Sequence, residues 1–255
     1  MKKSYPLSTA LAVLFLTFFV SCKKNEICLK CIPPGMTSTK ILRYYGDWYT
    51  DSLTLMGTIT YNKLGDPVSI LKSPHPVEGN VDCIFWYDKK GRLSDYIGVY
   101  TDHENYEFWY HYYYDKSDRI AVDSIYIFGS MKNNKPNKMA ERGTAYQYDD
   151  MGRIVKATER DWDGQHAWDQ TFEYDERGNL KPYYTTQYDN NYNPLLLHKV
   201  WQFIARDYSV NNRVSQIRPI QYNNKKFPVY YQADDEWSSF LAQPVGEYIR
   251  IDYSN

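Results

Sequence analysis

From about residue 55 onward, apolar and polar positions alternate with a period of two, the spacing of half-buried strands. Val81, Cys83, Phe85 and Tyr87 share one face of a predicted strand. Phe108, Tyr110, Tyr112 and Tyr114 share a face of another, with Trp109, His111 and Tyr113 behind them. Trp168, Gln170, Phe172 and Tyr174 repeat the arrangement opposite Asp169, Thr171 and Glu173. Further runs at 93–100, 120–128, 154–160 and 214–222 read as the strands that follow. Helical spacing stands out at one place, Asp234-Asp235-Glu236-Trp237-Ser238-Ser239-Phe240-Leu241-Ala242, an acidic start before apolar residues that predicts one short C-terminal helix. Residues 246–253 then read as a last strand.

Between paired strands the same corner recurs. Tyr148-Asp149-Asp150-Met151-Gly152-Arg153-Ile154 has close copies in Tyr87-Asp88-Lys89-Lys90-Gly91-Arg92-Leu93 and Tyr174-Asp175-Glu176-Arg177-Gly178-Asn179-Leu180. Looser copies begin at Tyr61, Tyr114 and Tyr208. Their second position reads Asp88, Asp115, Asp149, Asp175, Asn62 or Ser209, side chains whose oxygen can accept from backbone N–H two residues on. The fifth reads Gly65, Gly91, Gly152, Gly178, Asp118 or Asn212, the types that tolerate positive φ. A type I turn followed by a left-handed residue joins two antiparallel strands through a bulge. The variable connections then all fall at the opposite edge, at 73–76, 101–105, 130–142, 163–164 and 188–194, where binding residues concentrate on loops.

The Tyr-Asp corners resemble the YD-repeat family, which includes the shells of rearrangement-hotspot toxins and the teneurins, over roughly residues 55–220. The resemblance implies antiparallel sheet that curls around a cavity. Six repeats are too few to close a large shell, so the expected fold is all-β: an antiparallel meander forming a curved open sheet or half-barrel. The family's repeats are scaffold, so the resemblance carries over no catalytic residue.

The start of the chain reads differently. Met1-Lys2-Lys3, an apolar run over 7–20 and Ser21-Cys22 describe a secretory signal rather than a membrane span. Cysteine directly after Ser21 resembles a bacterial lipoprotein lipobox, which places lipid on Cys22. Acyl chains hold a protein on a membrane without crossing it. The domain reading is a signal peptide over 1–21, a lipidated cysteine and tether over 22–39, and a single β-repeat domain over 40–255. The Ser-Cys-Lys-Lys opening looks like Bacteroidetes-type lipoproteins, and the expected location is the cell envelope, at the outer membrane. Cys28 and Cys31 form a CxxC, with Cys83 remaining. Neither the helix context of a redox pair nor two further zinc ligands accompanies them. A structural disulfide is the alternative, with Cys83 a buried thiol.

Composition changes this picture little. Net charge is −1 with no basic block, so nucleic-acid binding lacks its electrostatic footprint. The chain has 27 tyrosines, which suit a two-sided sheet because each supplies apolar area with a polar tip. His75, His103, His111, His166 and His198 show no metal-ligand spacing, and no serine elbow or phosphate loop is present. No cofactor or metal is therefore expected. The constellation that remains is Asp161-Trp162-Asp163-Gly164-Gln165-His166-Ala167-Trp168. In a carbohydrate reading Trp162 and Trp168 stack on sugar while Asp161 and Asp163 bind hydroxyls. A calcium reading lacks the acid twelve positions along, where Phe172 stands. The plainest reading makes Asp163-Gly164 a hairpin turn flanked by cross-strand aromatic packing. The expected function is a non-catalytic, lipid-anchored scaffold or binding protein that presents aromatic sheet and variable loops to a glycan or protein. The rival is an envelope hydrolase of glycoside type using dispersed carboxylates. Open sheet edges can also pair with another chain.

Overall fold

The computed structural model describes residues 41–46, 54–73, 78–161, 163–164, 167–181, 187–214, 221–232 and 248–254. Ten strands follow one another as a meander: β1 (Ile41–Gly46), β2 (Thr54–Tyr61), β3 (Pro67–Lys72), β4 (Asp82–Tyr87), β5 (Leu93–Val99), β6 (Asn105–Tyr114), β7 (Ile120–Ser130), β8 (Arg142–Tyr148), β9 (Ile154–Asp161) and β10 (Ala167–Thr171). A separate pair, β11 (Gln187–Tyr192) and β12 (Asn211–Val214), brackets a 3₁₀ turn (Pro194–Leu197) and helix α1 (Lys199–Ala205). β13 (Gln221–Tyr222), β14 (Pro228–Gln232) and β15 (Tyr248–Ser254) complete the chain. Among the described residues the main sheet has thirteen strands in the order β10-β9-β8-β7-β6-β5-β4-β3-β2-β1-β15-β14-β13. Its ladder does not return on itself, so the sheet is curved and open. The last strand pairs with the first, which takes β1 off the edge.

Among the described residues six corners share one set of hydrogen bonds. In the second, Asp88 N–H donates to Arg92 O and Gly91 N–H to Asp88 O, while Asp88 Oδ1 accepts from Lys90 N and Arg92 N at 2.9 and 3.0 Å. The same four bonds organise the corners at Asn62, Asp115, Asp149 and Asp175. Gly65, Gly91, Asp118, Gly152 and Gly178 carry the positive φ. The sixth corner is not at Asn212, which corrects that expectation: Asn212 lies within β12. It lies instead at Tyr222-Asn223-Asn224-Lys225-Lys226-Phe227-Pro228, where Asn223 makes all four bonds and Lys226 has φ +66°. Lysine at the left-handed position hid this copy, since nothing in its chemistry favours that conformation.

The first residue of the motif ties each corner to its neighbour. Tyr87 hydroxyl donates to Pro67 O, Tyr114 to Leu93 O, Tyr148 to Ile120 O and Tyr174 to Ile154 O, at 2.7, 2.7, 2.6 and 3.2 Å. Tyr188 to Leu180 O and Tyr253 to Pro228 O make the same tie to the fifth and sixth corners from outside the motif. The sixth residue adds a second tie. Arg92 bonds Asp88 in its own corner at 2.8 Å and lies 4.1 Å over the Tyr114 ring of the next; Arg153, Asp149 and Tyr174 repeat this. The motif therefore encodes inter-repeat contacts as well as a bend.

The sheet buries both faces unequally. One carries the larger core, with Ile59, Ile70, Cys83, Phe85, Tyr96 and Tyr112 packed against Leu195, Val200, Trp201 and Phe203. The other holds Ile97, Val99, Tyr106 and Trp109. The helix at Lys199–Ala205 was not anticipated. Its signals are present in the sequence: Asn193 caps the 3₁₀ turn, Pro194 opens it, and Leu197, Val200, Trp201 and Ile204 recur at helical spacing. The expected helix at 234–242 lies outside the described residues. Cys22, Cys28 and Cys31 do as well, and Cys83 is a buried free thiol.

Candidate functional site: an aromatic cavity beside the helix

Antiparallel register sets the floor of a cavity of about 390 Å³ on the helix-bearing face. Tyr96, Tyr110, Ile125, Arg142 and Asp161 stand opposite one another in a row across β5–β9. Tyr112, Asp123, Thr144, Glu159 and Trp168 form the next row across β6–β10. Tyr96 and Tyr110 stack with centroids 5.9 Å apart, and Tyr110 stacks on Tyr112 at 6.4 Å. Gly98 makes room for Phe108, because a Cβ there would stand 2.4 Å from that ring. The helix supplies the roof: Phe203 meets Tyr112 and Tyr146 edge-on at 5.3 and 5.1 Å, and Ile204 and Arg206 line the cavity beside it.

Polar groups are few and engaged. Arg142 Nη1 bonds Glu159 Oε1 at 2.9 Å, and Arg206 bonds Gln170 at 3.1 Å while lying 5.6 Å over Tyr146. Glu107, the carboxylate lining the cavity, accepts from Gly79 N–H and Tyr100 hydroxyl at 2.8 and 3.1 Å. Burial, with this bond second, pushes the Tyr100 phenol up to about 12. A second carboxyl, Asp123, lies beneath, covered by Tyr146, whose hydroxyl donates to it at 2.6 Å; Thr144 N–H donates at 2.9 Å. Burial raises the Asp123 pKa against these bonds. Such a floor of stacked rings edged by an Arg–Glu pair can stack on a sugar or planar ligand and bond its hydroxyls.

The residues singled out from sequence divide. Trp168 shares the cavity's face, opposite Glu159, and is nearly half exposed; Asp161 shares the row of Arg142. Both sit toward the sheet edge, beyond the lining. Asp163 is in the β9–β10 turn, where Gly164 N–H donates to Asp161 O and Gly164 has positive φ, the hairpin reading of that stretch. Trp162 lies outside the described residues. Phe108, Tyr110 and Tyr112 of the lining were visible as one strand face, whereas Arg142 and Arg206 reach them only through register and the helix.

On the opposite face, Asp95 Oδ1 accepts from Trp109 Nε1 and meets His111 Nδ1, each at 2.7 Å. Burial pushes the Asp95 carboxyl up, but the bonds from His111, Ser94 and Trp109 outweigh it and hold the pKa low. His111 is raised in turn by its bond to Asp95. Ser124 stands opposite His111 in register. Among the described residues no three His, Cys, Asp or Glu side chains gather to hold a metal ion, and no helix is long and apolar enough to cross a membrane.

No protein-family model matches the chain, and no curated protein matches it. Solved structures to which it is similar include TcdB2-TccC3 without its hypervariable C-terminal region, at TM-score 0.26 and 12% identity over 50% of this chain and 8% of that one. TcdB2-TccC3-Cdc42 gives TM-score 0.29 and 15% identity over 71% of this chain and 10% of that one. A Photorhabdus luminescens Tc holotoxin pore gives TM-score 0.29 and 11% identity over the same shares. The chain thus spans 10% or less of the length of each of these Tc toxin structures.

Proposed function

We propose that this is a YD-repeat lipoprotein of the Bacteroidetes type, held on the outer membrane by lipid at Cys22, and that it binds a glycan without turning it over. The observation that carries the binding reading is the cavity itself: stacked Tyr96, Tyr110 and Tyr112, a roof of Phe203, and the Arg142–Glu159 pair at its side. The anchor rests on the charged start, the apolar run and Ser21-Cys22.

The test is a glycan array probed with the soluble chain from Lys23 onward. Tyr110→Ala and Arg142→Ala should each weaken a positive signal by about tenfold or more, the loss of roughly one stacking or charged contact. Trp168→Ala, at the rim, should cost less. Binding that survives both cavity substitutions overturns the site. Labelling with a radioactive fatty acid that persists in Cys22→Ser overturns the anchor.

Asp123 supports the rival hydrolase reading, because a carboxyl whose pKa is raised by burial beside a sugar-sized cavity suits a general acid. Release of reducing ends from a bound glycan, lost in Asp123→Asn with binding retained, would replace the non-catalytic reading.

A further inference from the structure

We propose that His198 is a pH-sensitive latch on helix α1: its neutral imidazole holds the helix against the sheet, and its protonation frees the helix's first turn. The ring is the helix N-cap, with Nδ1 accepting from Val200 N–H at 3.2 Å and Nε2 3.2 Å from Asp66 Oδ1. An imidazole that accepts at Nδ1 carries its hydrogen on Nε2, so these two contacts select a single tautomer. One nitrogen caps the helix and the other donates to the first corner of the sheet.

The charged groups facing the ring are Asp66, from the corner between β2 and β3, and Lys199, next in the chain. Asp66 is itself placed by Asn62, whose Nδ2 donates to Oδ2 at 3.1 Å, and lies near the phenol of Tyr87 on β4. A second proton must go to Nδ1, where Val200 N–H already points. Two donors then face each other and the cap is lost. Asp66 gains a charged partner, but at the other nitrogen, where it cannot restore the helix contact.

Burial lowers the His198 pKa, and Lys199 adds to this; Asp66 opposes without overcoming it. A histidine whose folded pKa lies below its ordinary 6.5 stabilises the fold fully above that value. The contribution is lost as pH falls from there through the folded pKa. His111, raised by Asp95, works in the opposite direction: its contribution is complete below 6.5 and is lost as pH rises through its higher folded pKa. Global stability therefore mixes the two, and only a readout at the helix isolates His198.

The helix packs on the face that carries the larger core. Trp201 Nε1 donates to Tyr61 hydroxyl at 3.2 Å, and Phe203, Ile204 and Arg206 wall the cavity. Freeing the first turn would loosen that wall, so acid would regulate access to the cavity; this consequence rests on the binding reading above.

The experiment is amide hydrogen exchange in the processed chain at about pH 7.5 and about pH 5, corrected for intrinsic rates and read at residues 200–203. Protection there should fall about fivefold at the lower pH, the worth of one N-cap. His198→Asn keeps a capping oxygen and cannot titrate, so its protection should be the same at both values. Equal protection in the unsubstituted chain, or a fall of the same size in His198→Asn, overturns the latch. No ligand enters the measurement, so its failure and the failure of glycan binding are read independently.

Discussion

Asp149 shows how much one side chain does in this fold. Its Oδ1 accepts two backbone N–H groups of its corner, and its Oδ2 holds Arg153 over the next tyrosine. Asp149→Ala strands those two donors and frees the arginine, at a cost of about 1–3 kcal/mol. Asp149→Asn should cost less than half as much, because Asn62 and Asn223 already make the backbone bonds in their own corners. Urea unfolding of the two variants checks the order. An equal loss would mean that the arginine tie, and not the turn, carries the stability.

Among the elements, α1 is short but touches most of the repeats. His198 reaches Asp66, Trp201 reaches Tyr61 and Phe85, Phe203 reaches Tyr112 and Tyr146, and Arg206 reaches Gln170. Seven residues cannot hold a helix on propensity alone, so the sheet's aromatic face stabilises it, and the helix in turn buries that face. Trp201 is 1% exposed. Trp201→Ala should destabilise the protein by about 3–5 kcal/mol, measured by thermal unfolding. The tyrosine ladder makes a second prediction. Burial pushes the phenol of Tyr114 up to about 12, and raises those of Tyr87, Tyr148 and Tyr174 as well. Groups with a raised folded pKa stabilise fully below the unfolded value, 10.0 for tyrosine, and lose that contribution as pH rises through the folded one. The tyrosine contribution should therefore hold up to about pH 10 and fall between there and pH 12, tracked by urea midpoints alongside phenolate absorbance.

Taken whole, the molecule departs from a simple repeat array in how its ends meet. β11 and β12 join the fifth corner through the paired Asn179–Asn211 bonds at 2.9 and 3.1 Å and through Tyr188. They join the sixth through Tyr192 N–H to Lys226 O, and through Tyr222 to Asp189. The turn rim is thus bridged end to end although the strand ladder stays open. β15 also sits between β1 and β14, so the chain's last segment carries the β13–β14 hairpin on the sheet. In an open array the terminal repeats peel away independently. Here, deletion of residues 247–255 should abolish the cooperative thermal transition and expose the remaining chain to limited proteolysis. A trimmed protein that still unfolds in one sharp step would refute this integration.

How much of this could be read in advance follows from the range of the forces. Five of the corners were legible because a turn is a local object: an Asx oxygen, a residue that accepts positive φ and flanking alternation suffice. Even there, Lys226 escaped and Asn212 misled, since neighbours can impose a backbone that a side chain does not favour. Strand faces were legible for the same local reason, and Phe108, Tyr110 and Tyr112 were visible as one apolar face. The helix has its spacing and caps at 193–204, yet one short apolar run cannot announce which surface will bury it. The cavity lay beyond local inference altogether. It exists because register sets Arg142 in line with Tyr110, and because α1 crosses from the first corner to bring Phe203 and Arg206 over that row. Local chemistry along the chain thus specifies an all-β meander with a repeated bend. Long-range burial assigns the helix to one face, closes the rim and makes the pocket, since those contacts join residues with no proximity in sequence.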